Sequence, residues 1–463
     1  MTTDARRRFA KWLGLMGCAV ATVLAPVQAA HRTTGQSEEG NLTLRSEVGY
    51  AANSESPRDF SNYFGGTLGV KIRPPAYDWL EGKIAIRGDV FHEFGGANSF
   101  VDAELDYDEV YLRARFGDQS QTRVTLGAQR VTWGRVDELP PTDRLSVQDT
   151  TRYILDQLPL RRRTTPALRI EHTMDDWTVD ALFVPLFRAA ELPRQESIWF
   201  PINQQRGRVL GINSDNPAFA ASIRNGTVGD SDDYSSFGGA GIRLTRLSDT
   251  FDFGVTAQRA RHSLPYYELN PAVRAAALAG APIASALAAG TPTLREVHPL
   301  TWIFSGDVVF DAYWFDMDWT VRFEAAYVTD TPTTRNDLRR SSSDSVEYVV
   351  GFEFYPGDED IRVNLQLADK VLLTNDGILD EDRTTSFNGE VEYPFFRDRF
   401  RWTTRFSVGL EYSDWYLNSE IRYLGTPAHE FYLGTHIFSG EDNAANGFYS
   451  SNDMITLGWR GRF

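Results

Sequence analysis

The sequence predicts an all-β protein: a transmembrane antiparallel β-barrel of about eighteen strands, with short turns at one rim and long loops at the other. Three observations predict it. Segments of roughly ten residues alternate in polarity from Asn41 to the C-terminus. The links between them alternate short and long, and aromatic residues gather near the segment ends. Composition agrees. Mean hydropathy is −0.36 although 13% of residues are aromatic. No apolar run after residue 30 is long enough for a membrane helix. A strand that is greasy on one side only averages out in this way.

The first 29 residues read as an export signal. Arg6-Arg7-Arg8 form a basic start, Trp12 to Val27 an apolar stretch, and Val27-Gln28-Ala29 a small-residue cleavage site, so the barrel is expected over 30–463. Two other readings stay open. Arg6-Arg7-Arg8-Phe9-Ala10-Lys11 also suits a twin-arginine route, and Leu15-Met16-Gly17-Cys18 suits a lipobox. Cys18 is the only cysteine. The expected exported chain therefore has no disulfide and no thiolate metal site.

Individual segments show the alternation directly. Trp319, Val321, Phe323, Ala325 and Tyr327 alternate with Thr320, Arg322, Glu324 and Ala326. Phe406, Val408, Leu410 and Tyr412 alternate with Arg405, Ser407, Gly409 and Glu411. In a barrel the first set faces lipid and the second a wet lumen. The links decide against a soluble sandwich. After every even-numbered segment the chain turns tightly, as at 74–78, 117–120, 174–176, 247–249 and 356–360. Three other links are long: 134–165, 188–236 and 262–295. Segments are expected at 121–133, 177–187 and 400–412 among others, and the last ends at Phe463. Chains ending in an alternating strand with a terminal Phe resemble substrates of the bacterial barrel-assembly machinery. That resemblance implies that Phe463 is an assembly signal.

Parity assigns charges of both signs to the lumen, among them Arg113, Arg115, Arg322, Glu324, Arg362, Arg405 and Glu411. The loop 134–165 adds Arg135, Asp137, Asp143, Arg144, Arg152 and a cluster at 161–163. Folded inward it would narrow the pore; left at the rim, its Arg residues would meet lipopolysaccharide phosphates. The loop 188–236 carries Ile198-Trp199-Phe200-Pro201-Ile202 in an otherwise polar context, a run that does not stay in water. It reads as a loop anchor or, more sharply, as a capture site at Trp199 and Phe200. The loop 262–295 reads as short helical turns broken at Gly280 and Pro282. Acidic stretches at Asp230–Asp233 and Asp376–Asp382 lack calcium-loop spacing and read as solvated faces.

Several classes are excluded. The net charge of −16 argues against nucleic acid. There is no G-x-S-x-G, no H-E-x-x-H and no His cluster with ligand spacing, so neither catalysis, a cofactor nor a metal is expected. The stretch Arg130-Val131-Thr132-Trp133-Gly134-Arg135, followed by Leu139-Pro140-Pro141-Thr142-Asp143, resembles the early loop of proteobacterial porin-like barrels. Those barrels are found beside genes for degrading hydrophobic compounds. Size and strand count also resemble the alginate-export porin. The resemblance implies a Gram-negative outer-membrane channel for a small solute, an amphipathic or carboxylate-bearing compound among the candidates. Alginate export implies a strongly basic lumen; here both signs occur inward. A barrel with a filled lumen that anchors a periplasmic partner, without transport, stays as the other class.

Overall fold

The computed structural model describes residues 37–463 apart from 54–55, 97–98, 213–216, 225, 230–235, 283–290 and 358–359. The expected signal, the acidic run at Asp230–Asp233 and the second alanine-rich run of loop 262–295 lie outside the described residues.

Eighteen strands form one sheet: β1 (Ser37–Ala51), β2 (Phe60–Arg73), β3 (Leu80–Phe94), β4 (Phe100–Phe116), β5 (Thr122–Gln129), β6 (Thr165–Met174), β7 (Trp177–Val184), β8 (Gly239–Arg246), β9 (Asp252–Arg261), β10 (Leu300–Trp314), β11 (Met317–Thr334), β12 (Arg340–Phe354), β13 (Arg362–Leu372), β14 (Arg383–Phe395), β15 (Phe400–Gly409), β16 (Trp415–Thr426), β17 (His429–Ser439) and β18 (Met454–Arg462). Each pairs antiparallel with its neighbours in sequence. The sheet closes where β1 meets β18, from Thr43↔Arg462 to Ala51↔Met454. Phe463 completes the seam: its N–H donates to the Leu42 carbonyl at 2.8 Å, and Leu42 returns the bond at 2.9 Å. Closure leaves no unpaired edge, the condition for a sheet in hydrocarbon.

Alternation explains the two faces. Leu68, Val70, Ile84, Ile86, Leu105, Leu126 and Leu433 are exposed on the outside. Rings ring the short-turn rim: Trp177 meets Phe253 edge-on at 5.6 Å, and Trp319 stacks on Phe354 at 4.1 Å. The two-residue turn Phe315-Asp316 has φ of 55° and 59°, which matches the twist of a two-residue hairpin.

Strand limits depart from the sequence expectation at three informative places. β5 stops at Gln129 instead of running to 133. Arg130 turns to Asp108 at 2.8 Å, and Trp133 swings inward to donate from Nε1 to Asp180 at 2.7 Å. β7 stops at Val184, because Phe187 is drawn into the interior and its N–H bonds to Ser236. β15 stops at Gly409, whose N–H bonds to the Asp414 carbonyl across a tight turn.

The long loops at 185–238 and 262–299 build a cap together. α1 (Pro217–Arg224), α2 (Pro271–Leu278) and a small sheet of Val228–Gly229, Leu294–Val297 and Tyr266–Leu269 enclose a core that includes Phe200, Ile202, Ile223, Val273 and Leu294. Asn270 caps α2 by accepting from the Ala272 N–H at 2.9 Å, with Pro271 in the first turn. The helix stops just before Gly280, at φ 66°, as the sequence suggested.

Candidate functional site: the loop across the lumen

The site is made by the loop 130–164, which leaves β5 and crosses the inside of the barrel. Its root is apolar. Val131, Trp133 and Leu145 pack against inward-facing Ala167, Leu182, Val184, Ala260, Ile303, Ala326 and Val328. The inner wall of β6–β11 is therefore greasy at that height, a correction to a lumen read as wet throughout. The loop brings its own apolar side chains, so the wall there faces protein and not water.

Glu324 latches the root. Its carboxylate, fully buried, accepts from the backbone N–H groups of Arg135 and Val136, the latter at 2.8 Å, and from Thr142 Oγ1 at 2.6 Å. Gln258 donates to the Thr142 carbonyl at 2.8 Å. Asp307 is shared by Arg135 and Arg243, each at 2.6 Å. The three bonds to the Glu324 carboxylate are charge-assisted, the strong kind. Beyond the root the loop is tied to distant strands. Arg144 pairs with Glu347 on β12, and Asn364 on β13 donates to Asp137. Gln157 donates to Glu390 on β14 at 2.7 Å, and Arg405 on β15 donates to the Leu155 carbonyl at 3.2 Å. On the far side Arg45 of β1 meets Asp156 at 2.5 Å, Arg152 pairs with Glu47, and Arg87 meets Asp149 at 3.1 Å. Burial alone would raise the Asp156 carboxyl, but Arg152 and Arg45 hold it well below the usual carboxylate range.

Space remains between this loop and the inner faces of β11–β15. An outer chamber of about 400 Å³ is lined by Glu138, Leu139, Tyr153, Ile154, Arg161, Lys370, Leu372 and Glu411, among others. A lower chamber of about 240 Å³ is lined by Asp137, Glu138, Ile154, Gln157, Arg362, Asn364, Gln366, Asn388, Glu390 and Arg405. Glu138, Ile154, Asn388 and Ser407 border both and form the neck. Gln157 and Arg405 continue into a small cavity of about 20 Å³ under the loop. A side chamber of about 230 Å³ shares Thr331, Pro332 and Lys370 with the outer one. One strand borders three of them: on the same face of β13, Lys370 lines the side and outer chambers, and Gln366, Asn364 and Arg362 line the lower one.

Of the residues singled out from sequence, Asp137, Arg144, Arg362, Arg405 and Glu411 line these chambers. Arg135, Asp143, Arg144, Arg152 and Glu324 hold the loop in place; Asp143 does so through Arg162 at 2.8 Å. Arg322 lies beside the lower chamber, paired with Glu353 at 3.0 Å, and Glu353 also holds Arg362 at 3.1 Å. Arg113 and Arg115 are on the lumenal wall but away from the loop. They converge, with Lys71 and Arg73, on the buried Glu81 near the short-turn rim. Trp199 and Phe200 are 3% and 7% exposed and line none of the chambers described. Trp199 packs with Leu155, Tyr416, Phe438 and Tyr449, and Phe200 with the cap core, so the run anchors the cap to the wall and to the crossing loop. Sequence reasoning passed over Gln366, Asn388, Glu138 and Lys370. Parity from Arg362 along β13 was the signal that could have found two of them.

No protein-family model and no curated protein matches the chain. Solved structures do. A BenF-like porin from Pseudomonas fluorescens Pf-5 matches with a TM-score of 0.52 at 10% identity, over 92% of this chain and 98% of that one. OpdQ of Pseudomonas aeruginosa matches with a TM-score of 0.50 at 10% identity, over 92% and 98%. The outer membrane protein opdK of Pseudomonas aeruginosa matches with a TM-score of 0.50 at 9% identity, over 92% and 98%. At such identities the likeness is one of fold. Together with the closed wall and its greasy outer face, it gives this chain the barrel fold that those outer-membrane porins share.

Proposed function

We propose that the chain is an outer-membrane channel through which small solutes diffuse down their gradient, along β13–β15 and past the crossing loop. The observation that carries this reading is the series of chambers, each sharing lining residues with the next. The lining suits passage rather than tight capture. Amides of Gln366, Asn364 and Asn388 can exchange hydrogen bonds with a solute as it sheds water. In the lower chamber, Arg362 and Arg405 on the wall face Asp137 and Glu138 on the loop, a field across the path that orients dipolar solutes. Arg405 makes no ion pair within 4 Å among the described residues, so its charge is available to a passing anion. Leu139, Ile154 and Leu372 offer apolar contact beside it.

The solute that matches this lining is a small amphipathic compound bearing a carboxylate. The acids in both chambers weigh against a polyanion such as alginate, which calls for unbroken basic lining. The motif Arg130–Asp143 forms the loop root here, and its resemblance to barrels linked to hydrophobic-compound degradation agrees with an amphipathic solute. Phe463 would serve the barrel-assembly machinery, and rim residues would meet lipopolysaccharide. Among the described residues no arrangement calls for an enzymatic step. The ties from the loop to β1 and β3 favour a second reading, a barrel shut at rest that scaffolds a periplasmic partner. Planar-bilayer recording separates the two. The channel reading expects discrete conductance steps, reduced at least twofold by Gln366→Trp. Silent membranes together with a stoichiometric co-purifying protein would support the scaffold instead.

A further inference from the structure

The outer chamber is roofed by Leu210 and Gly211 of the cap loop. Beside them, Ile212 makes a backbone bridge to Asp380, in the loop 373–382 between β13 and β14. The hairpin between β11 and β12 holds that loop on its other side. The Leu379 N–H donates to the Thr334 carbonyl at 2.7 Å, and the Asp380 carboxylate accepts from the Thr334 N–H. Leu338 of the hairpin and Leu379 both pack in the cap core. Asp380 thus stands between the cap and the barrel mouth, and both it and Glu381 line the outer chamber.

We propose that the cap is a proton-operated lid, docked on the 373–382 loop in acid and lifted from it as pH rises. The inference rests on the channel reading for its purpose, control of entry to the outer chamber. Three observations carry it. The first is the chemistry of the contact. Over Asp380 the cap brings Val209, Leu210, Gly211 and Ile212, none of which offers a charge or a side-chain hydrogen bond. Among the described residues neither Asp380 nor Glu381 makes an ion pair within 4 Å, and one carboxylate oxygen of Glu381 is buried without a hydrogen bond. Docking therefore strips water from two acids and returns no cation. The second is crowding. Glu138, Asp380, Glu381, Glu411 and Asp414 share the chamber with only Arg161 and Lys370. Arg161 is taken by Glu138 at 2.9 Å, and Lys370 lies opposite Glu347 in the strand register. The third is freedom to move. Gly211 has φ of 80°, and a Cβ there would meet nothing within 4 Å, so the docked segment carries its own pivot.

The direction follows from proton linkage. Burial, with Asp414 adding to it, holds the Glu381 carboxyl up at about 7, and burial holds Asp380 up at about 6. Lifting the cap returns water to both, and each falls back toward the ordinary carboxylate range. Docking takes up protons, so it is favoured as pH falls through those values and opposed above them.

The test is the distance between two spin labels in the purified full-length protein in detergent, at Arg208→Cys on the cap and Leu410→Cys beside the mouth. Pulsed electron paramagnetic resonance is recorded at pH 5.5 and pH 8. The expected result is one short distance at pH 5.5 and a longer population that is about threefold or more larger at pH 8. Asp380→Asn combined with Glu381→Gln keeps the shapes and removes both charges, so that variant should show the short distance at both pH values. Heat-modifiable gel migration shows that each variant is folded. A distance distribution that ignores pH, or one that responds in the double variant as it does in the parent, would overturn the lid. Conductance is recorded alongside: a moving cap on a barrel that never conducts removes the channel and leaves the lid, and a conducting barrel with a fixed cap does the reverse.

Discussion

Glu324 is the residue on which the position of the crossing loop turns. A single buried carboxylate satisfies two backbone N–H groups and a hydroxyl from a segment far away in sequence. Glu324→Gln keeps the volume but presents an NH2 group to donors. It should cost about 1–3 kcal/mol, the price of buried unsatisfied groups. The loosened loop should show as larger and noisier single-channel currents; currents identical to wild type would mean that the latch does not hold the loop. Gly134 makes the same region intolerant for another reason: a Cβ there would come within 2.3 Å of Pro140. The W-G and P-x-D residues noticed in the sequence thus mark a packed corner. Their types were legible, but the partners were not, because Asp180 and Glu324 lie on other strands and register across a barrel is not written in local pattern.

At the level of elements, the strands were legible and the loops were not. Period-two alternation is imposed by lipid on one side, so the number of strands and the closing seam could be read, while strand ends moved by several residues, as at Gln129, Val184 and Gly409. The loops follow no period. The run Ile198–Ile202 could be seen to leave water, but its two rings part company: Trp199 joins a cluster with inner-wall Tyr416 and Phe438, and Phe200 joins the cap. Trp199→Ala should therefore uncouple the cap from the wall, at about 3–5 kcal/mol. The expected outcome is faster proteolysis within 185–238 while barrel migration on gels is unchanged. Equal protease resistance would show that the cap is held elsewhere. The same lack of period hid the greasy root of the crossing loop, since inward-facing Leu182, Ile303 and Val328 break the rule of a wet inner wall.

At the scale of the whole molecule, a closed and strongly acidic barrel has a path whose charge depends on pH. Burial, with Asp414 adding to it, pushes the Glu381 carboxyl up to about 7, and burial pushes Asp380 up to about 6. Both line the outer chamber beside Glu138, Glu411, Asp414, Arg161 and Lys370. Raised carboxyl groups lose their negative charge as pH falls through those values. Cation preference, measured as the reversal potential across a KCl gradient, should decline from pH 8 to pH 5. A constant reversal potential would remove those two acids from the path. The central claim is that solute passes between the crossing loop and β13–β15, and Asn388 stands at that neck. Cys18 falls in the expected export signal, so Asn388→Cys would put a single thiol in the exported chain. Adding a charged methanethiosulfonate during single-channel recording should cut the current stepwise in that variant, and not in Leu367→Cys on the lipid face. Modification of the Asn388→Cys thiol that leaves the current unchanged would contradict the account.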